Sequence, residues 1–257
     1  MNPKERTIGP VRRGPEDLNS SQSARATLLL REMVVDGHFL PGERIKEIPL
    51  AAKLSVSRIP LRLALERLAH EGLLDVRPTR GFIVQQFSTV DIYDSIELRG
   101  SLEGTAARLA AQRLRDPSDL RTLRDLSAEM DGLFRRNELS LAGFTSYIDL
   151  NARFHAALLE LSRSRILQRA VKQVCSLPFA SPSAFLLKQQ ASPSSHDLFL
   201  IALDHHRSII DAVANREGMR AEALAREHAR LARRNLDQAL GNRELMKTVR
   251  GSTLIEL

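Results

Sequence analysis

Residues 41–84 read PGERIKEIPLAAKLSVSRIPLRLALERLAHEGLLDVRPTRGFIV, and the order of signals in this stretch decides the fold. Pro41-Gly42 marks a turn. A short helix is expected around Ile48 to Leu54. Ser57 stands at the expected N-cap of the next helix, with Pro60 tolerated in its first turn. Leu61, Ala64, Leu65 and Leu68 recur at helical spacing and form its buried face, and Gly72 ends it. Two short β-prone runs follow, Leu73–Arg77 and Gly81–Val84, joined by Pro78-Thr79-Arg80 as a hairpin. Upstream, from Ser23, Ala26, Leu29, Leu30 and Met33 repeat at i, i+3, i+4, i+7 until Asp36-Gly37 closes that helix. Three helices and a hairpin make the layout of a winged helix-turn-helix, assigned to residues 23–87. Residues 1–22 are polar and aperiodic and read as a flexible arm.

The chain has 257 residues with 38 basic against 31 acidic side chains, a formal charge of +7. Aromatic residues are 4% and tryptophan is absent, which argues against single-strand binders that stack bases on aromatic platforms. A single cysteine, Cys175, excludes an intrachain disulfide and a cysteine-based zinc finger. It reads as a buried, inert thiol. The longest apolar run is Leu198–Leu203, too short for a membrane span. No signal-type apolar segment follows the basic residues near the N-terminus, so the cytoplasm is the expected compartment.

The positive charge has a place. Residues 44–80 hold eight basic side chains (Arg44, Lys46, Lys53, Arg58, Arg62, Arg67, Arg77, Arg80) against four acidic ones. Arg58, Arg62 and Glu66 sit four apart, on the helix face opposite the leucine stripe. One side is thus held in the core while the other offers forked guanidinium donors to a major groove. Arg80 stands beside Gly81 at the wing tip, where bare backbone can approach a phosphate.

Residues 24–84 resemble the DNA-binding domain of the GntR family of bacterial transcription regulators. The resemblance is carried by Pro41-Gly42, Leu50-Ala51, Val56-Ser57-Arg58, Pro60, Arg62, Ala64-Leu65, Leu68, Glu71-Gly72-Leu73 and Gly81. Ile59 and Leu63 depart from it, standing where threonine and an acidic residue are usual. The resemblance implies Ser57, Arg58, Arg62 and Gly81 as DNA contacts, with Arg44, Arg77 and Arg80 as further basic candidates.

From Asp91 the pattern is helical almost throughout, with helices expected near 91–114, 117–136, 141–163, 165–176, 198–214 and 217–241. The fold class is therefore mainly α, a winged helix-turn-helix followed by an all-α antiparallel helical bundle over 91–241. Residues 85–90 read as a linker and 242–257 as a C-terminal tail. The connection 178–197, with three prolines and five serines, is long for a bundle and reads as a lid or a plain surface loop.

Asn151 and His155 are i and i+4 and can converge on one point, while His206 and His228 lie on two other helices among apolar neighbours. Each histidine alone reads as a satisfied core residue. Three of them with an oxygen donor also fit a metal centre, since neutral imidazole binds borderline cations. Arg99 and Glu103 fall inside the apolar stripe of helix 91–114. They read either as an internal ion pair or as a fork for a carboxylate ligand.

Residues 97–114, 151–162 and 205–236 resemble, in this order, the FCD domain of the FadR-type branch of GntR regulators. That resemblance implies a divalent transition metal (zinc, nickel or manganese) on Asn151, His155, His206 and His228. It also implies a carboxylate effector at Arg99, held by Glu103. Asn151 stands where aspartate is common and leaves the site one negative charge short. Asp149 points to another face, and His205 replaces a usual acidic residue.

The expected protein is a non-enzymatic regulator, a repressor acting as a homodimer on pseudo-palindromic double-stranded DNA and answering to a small organic acid. Its rivals are a metal sensor, in which the cation is the signal, and a helical-bundle metalloenzyme. The latter fits less well because no histidine has Glu three residues before it.

Overall fold

The computed structural model describes residues 15–135, 141–177, 179–184 and 193–256. The chain divides into two compact units, Met1–Gln85 and Gln86–Leu257.

The first unit contains α1 (Pro15–Val35), α2 (Glu47–Leu54), α3 (Arg58–His70), β1 (Leu74–Arg77) and β2 (Gly81–Val84). Ala26, Leu30 and Val34 of α1 are buried, as are Leu61, Ala64, Leu65 and Leu68 of α3. The Arg31 guanidinium on α1 grips the Glu71 carboxylate at the end of α3, at 2.6 and 2.9 Å. The strands pair antiparallel from Leu74 opposite Val84 to Arg77 opposite Gly81. Gly81 has φ +70°, so it turns the wing through a left-handed conformation that side chains disfavour.

Three details differ from expectation. Helix α1 begins at Pro15, eight residues before Ser23, so the reading of residues 1–22 as an arm extends into helix, and residues 1–14 lie outside the described ones. Ser57 holds the N-cap position with extended backbone, but its hydroxyl accepts no helix N–H. Residues 42–45 form an unforeseen third edge of the wing. Ile45 N donates to Phe82 O and Val84 N donates to Glu43 O, which anchors the backbone of Arg44 against β2.

The second unit contains α4 (Thr89–Arg113), α5 (Arg121–Arg135), α6 (Leu141–Leu161), α7 (Arg165–Val174), α8 (Pro193–Ala214), α9 (Gly218–Leu240) and α10 (Arg243–Met246). Helix α4 starts at a capping box. Ser88 Oγ accepts from Asp91 N, while the Asp91 carboxylate accepts from Ser88 N. The expected helix 117–136 is a short 3₁₀ turn followed by α5, with Asp116 capping that turn.

Helices α4 and α9 run antiparallel in close contact. Gly100 faces Ala229 and Gly104 faces Arg226. A Cβ added at Gly100 would lie 2.9 Å from Ala229 Cβ, and one at Gly104 would lie 3.0 Å from the Glu222 carbonyl. Elsewhere an apolar cluster fills the core. Met130 of α5, Phe144, Tyr147 and Phe154 of α6, and Phe199 and Leu203 of α8 are all buried.

The segment read as a tail is structured. Val249, Leu254 and Ile255 are buried. Phe87 N donates to Leu254 O at 2.8 Å and Glu256 N donates to Phe87 O at 2.8 Å. The linker and the C-terminal segment therefore pair as a short parallel bridge. Apolar residues without a period announce no element, which is why the sequence reads as a tail there. Of the expected loop 178–197, residues 193–197 belong to α8, and Phe179 and Ala180 are buried. Residues 178 and 185–192 lie outside the described residues.

Candidate ligand and nucleic-acid sites

In the first unit, the apolar face of α3 fixes the direction of its opposite face. Arg58 and Arg62 are exposed there, and so are Ser57, Arg44, Arg77 and Arg80. Arg62 Nε lies 3.3 Å from Glu66 Oε1, a solvent-facing i, i+4 pair of little energetic weight. Arg77 pairs with Asp75 at 2.9 Å. The side chains expected to contact DNA are thus all available to solvent, on α3, the wing and the edge that pairs with it.

In the second unit, four helices contribute to one buried cluster. Asn151 and His155 come from α6, His206 from α8, His228 from α9, and Arg99 and Glu103 from α4. All six are buried. His228 Nε2 lies 3.2 Å from both His206 Nε2 and His155 Nε2, and one ligand atom from each ring falls within 4.8 Å of the others. Two nitrogens bound at 2.0–2.1 Å to one ion stand roughly 2.9–3.4 Å apart for octahedral to tetrahedral angles. The observed separations fit that range, so the donor set suits a borderline divalent cation.

The outer contacts follow a familiar logic. His155 Nδ1 lies 3.2 Å from Glu103 Oε1, while the other Glu103 oxygen accepts from Arg99 at 3.0 Å. A carboxylate behind a histidine orients the ring and raises its basicity as a ligand. Arg99 also donates to the Ala229 carbonyl at 3.3 Å, one residue beyond His228, and its Nε is buried without a partner. The ion-pair reading of Arg99 is the one the geometry shows. The guanidinium is paired, beside the histidines, with its Nε unspent among the described residues.

Electrostatics keep two of the three rings in the form a cation needs. Burial, reinforced by the neighbouring imidazoles, holds His206 and His228 well below the ordinary histidine value, so both are neutral. Burial pushes the Glu103 carboxyl up, but the Arg99 guanidinium and His155 outweigh it and hold the group at about 2.

Asn151 departs from a simple ligand role. Its side-chain nitrogen donates to Ser183 Oγ at 3.3 Å and Pro182 O at 3.5 Å, leaving the amide oxygen as its donor atom for a cation. An aspartate could not make those two donations. Asp149 is exposed and paired with Arg153, away from the cluster. His205 is half-buried, with its ring 5.9 Å from that of His228, and stands apart from the three close nitrogens. Sequence reasoning missed Ser183 and Pro182, because a loop partner leaves no periodic trace. It also placed Cys175 as a core thiol. The residue is partly buried at the end of α7, where burial, with the Glu103 charge adding to it, pushes its thiol up to about 11.

Residues 22–84 match the family described as bacterial regulatory proteins, gntR family, and residues 94–231 match the FCD domain. This chain belongs to the GntR family, in its FCD-domain branch. The regulator is 42% identical over 142 residues to the Nta operon transcriptional regulator of Aminobacter aminovorans, covering 55% of this chain and 64% of that relative. It thus spans just under two thirds of that relative's length. It is 24% identical over 222 residues to the HTH-type transcriptional repressor RspR of Escherichia coli K12, covering 82% of this chain and 88% of the repressor. Its fold is that of E. coli McbR/YncC, with a TM-score of 0.56 at 22% identity over 86% of this chain and 97% of the other. The family and the relatives this chain matches are transcriptional regulators, not enzymes, so the comparisons lend the metalloenzyme reading no support. Among the described residues, no helix is long and apolar enough to cross a membrane.

Proposed function

We propose that this GntR regulator is a repressor whose operator affinity is set by a small carboxylate-bearing metabolite bound in its helical unit, at a divalent cation held by His155, His206 and His228. The observation that carries the reading is the convergence of three buried imidazoles on one point beside the buried Arg99–Glu103 pair. Asn151 adds a neutral oxygen donor. A cation there supplies a positive centre for one end of the acid, and the unspent Arg99 Nε offers a donor to it. The repressor name of the E. coli relative supports the direction of regulation.

The protein acts as a homodimer, since two reading helices on a pseudo-palindrome require half-sites about one helical turn apart. The effector must bind one arrangement of the two units more tightly than the other, because equal affinity shifts nothing.

The test is a thermal-shift screen of small organic acids on protein loaded with zinc, nickel or manganese and on protein stripped with a chelator. A true effector at 100 times its dissociation constant adds about 2.7 kcal/mol. It should do so only with the cation present, and it should weaken binding to a selected operator. Cation alone changing operator affinity, with no acid present, would instead make the metal the signal. Elemental analysis finding no cation on gently purified protein, together with no stabilisation by added cation, would remove the site.

A further inference from the structure

The exposed face of α3 carries more than arginines. Ile59 is 67% exposed and Leu63 48% exposed, one turn apart, on rows adjacent to Arg58 and Arg62. Single exposed apolar residues need no explanation. Two at i, i+4 on the outward face of the helix that reads DNA do, because that face meets base edges when the helix enters a major groove.

Neither side chain has a donor or acceptor, so neither can hydrogen-bond any base. The one apolar group that B-form DNA presents in its major groove is the C5-methyl of thymine. Arg62, on the adjacent row of the same exposed surface, supplies the complementary polar contact, a forked donor suited to guanine O6 and N7. We infer that Ile59 and Leu63 read thymine methyl groups in each operator half-site, beside the base contacted by Arg62.

Contact with a methyl removes apolar surface from water on both sides and discriminates thymine from cytosine without a hydrogen bond. It follows that operator preference in this regulator has an apolar component, to be found close to the guanine position. The inference rests on the reading of α3 as the DNA-contacting helix.

The experiment uses the full chain and synthetic duplexes selected from a randomised pool. Because such a pool carries no 5-methylcytosine, any methyl read in it is that of thymine. Each thymine of a selected half-site is replaced in turn by uracil, which deletes only the methyl, and affinity is measured by fluorescence anisotropy. One or two replacements per half-site should weaken binding about fourfold each, the worth of one buried carbon group, while the others leave it unchanged. In Ile59→Ser and Leu63→Gln variants, which alter solvent-facing side chains and so preserve the fold, thymine and uracil duplexes should bind alike. Wild-type protein that binds its selected operator with no uracil effect would overturn the inference and leave DNA binding intact. Uracil effects that persist in both variants would overturn the assignment to these residues. A pool that yields no selected duplex would overturn the placement of α3 on which the inference depends.

Discussion

Glu103 Oε1 lies 3.2 Å from His155 Nδ1, and the opposite oxygen of the same carboxylate accepts from Arg99 at 3.0 Å. One buried side chain thus joins the cationic fork to the imidazole cluster. Glu103→Gln keeps the shape but removes the charge from both neighbours. Cation affinity should fall about 10- to 100-fold, the usual effect of losing a partner behind a ligating histidine. Stability should fall by about 3–5 kcal/mol, because the Arg99 charge is left buried. Titration with zinc against a chromophoric chelator and urea unfolding measure the two effects separately.

His228→Ala deletes the ring common to both 3.2 Å contacts. It should abolish cation binding measured by calorimetry. Affinity for a selected operator in the presence of chelator should stay within about twofold of wild type, a difference of about 0.4 kcal/mol.

Acid should destabilise the protein in two stages. His206 and His228 have folded values below their unfolded one, so each contributes stability above about pH 6.5 that is lost as pH falls below it. Glu103, held at about 2 against an unfolded value near 4.3, adds a second loss between these two points. Thermal melts of chelator-treated protein should therefore decline first below about pH 6.5 and again below about pH 4.5. A midpoint that does not move between pH 7 and pH 5 would contradict the first stage.

Gly100→Ala places a methyl 2.9 Å from Ala229 Cβ. The gain of about 1 kcal/mol in helix propensity is opposed by an overpacking cost of about 1–3 kcal/mol, so chemical denaturation should show a net loss. Because Ala229 adjoins His228, cation affinity should fall as well.

Arg62→Ala should cost about 1–3 kcal/mol of operator affinity and relax preference at one base position. Arg80→Ala, on the wing, should weaken all duplexes nearly equally and reduce the salt dependence by about one phosphate contact. Unchanged affinity for a selected operator in the Arg62 variant would remove that residue from the reading face.

Much of this was legible in the chain because it is local. The leucine stripe of α3, the Gly72 stop and the Pro78–Gly81 turn each follow from a few neighbouring residues, and together they specify the winged unit. The i, i+4 spacing of Asn151 and His155 likewise fixed a shared face. What spacing does not carry is register between helices. That the three rings meet depends on the register of α6, α8 and α9, and that Arg99 and Glu103 reach them depends on how deeply α4 and α9 nest, which Gly100 and Gly104 allow. The amide of Asn151 turning to Pro182 and Ser183, and Phe87 pairing with Leu254 and Glu256, are contacts between segments without any period. Ser88-x-x-Asp91 was a readable signal for the start of α4, and it places that start two residues before Asp91.

Asn151→Asp separates the two duties of that residue. Added negative charge should raise zinc affinity about tenfold or more, a change of at least 1.4 kcal/mol. The lost donations to residues 182 and 183 should speed amide exchange in 179–184. Faster exchange without tighter binding would mean the amide serves the loop alone.

The pairing of Phe87 with residues 254–256 also defines a path for mechanical load. The segment that follows the winged unit is hydrogen-bonded through both backbone groups of one residue, Phe87, to the C-terminal residues 254 and 256, and the Phe87 ring rests edge-on against Phe179 at 5.5 Å. Tension on that segment is therefore borne by the C-terminal residues and by the loop that receives the Asn151 amide before it reaches α4.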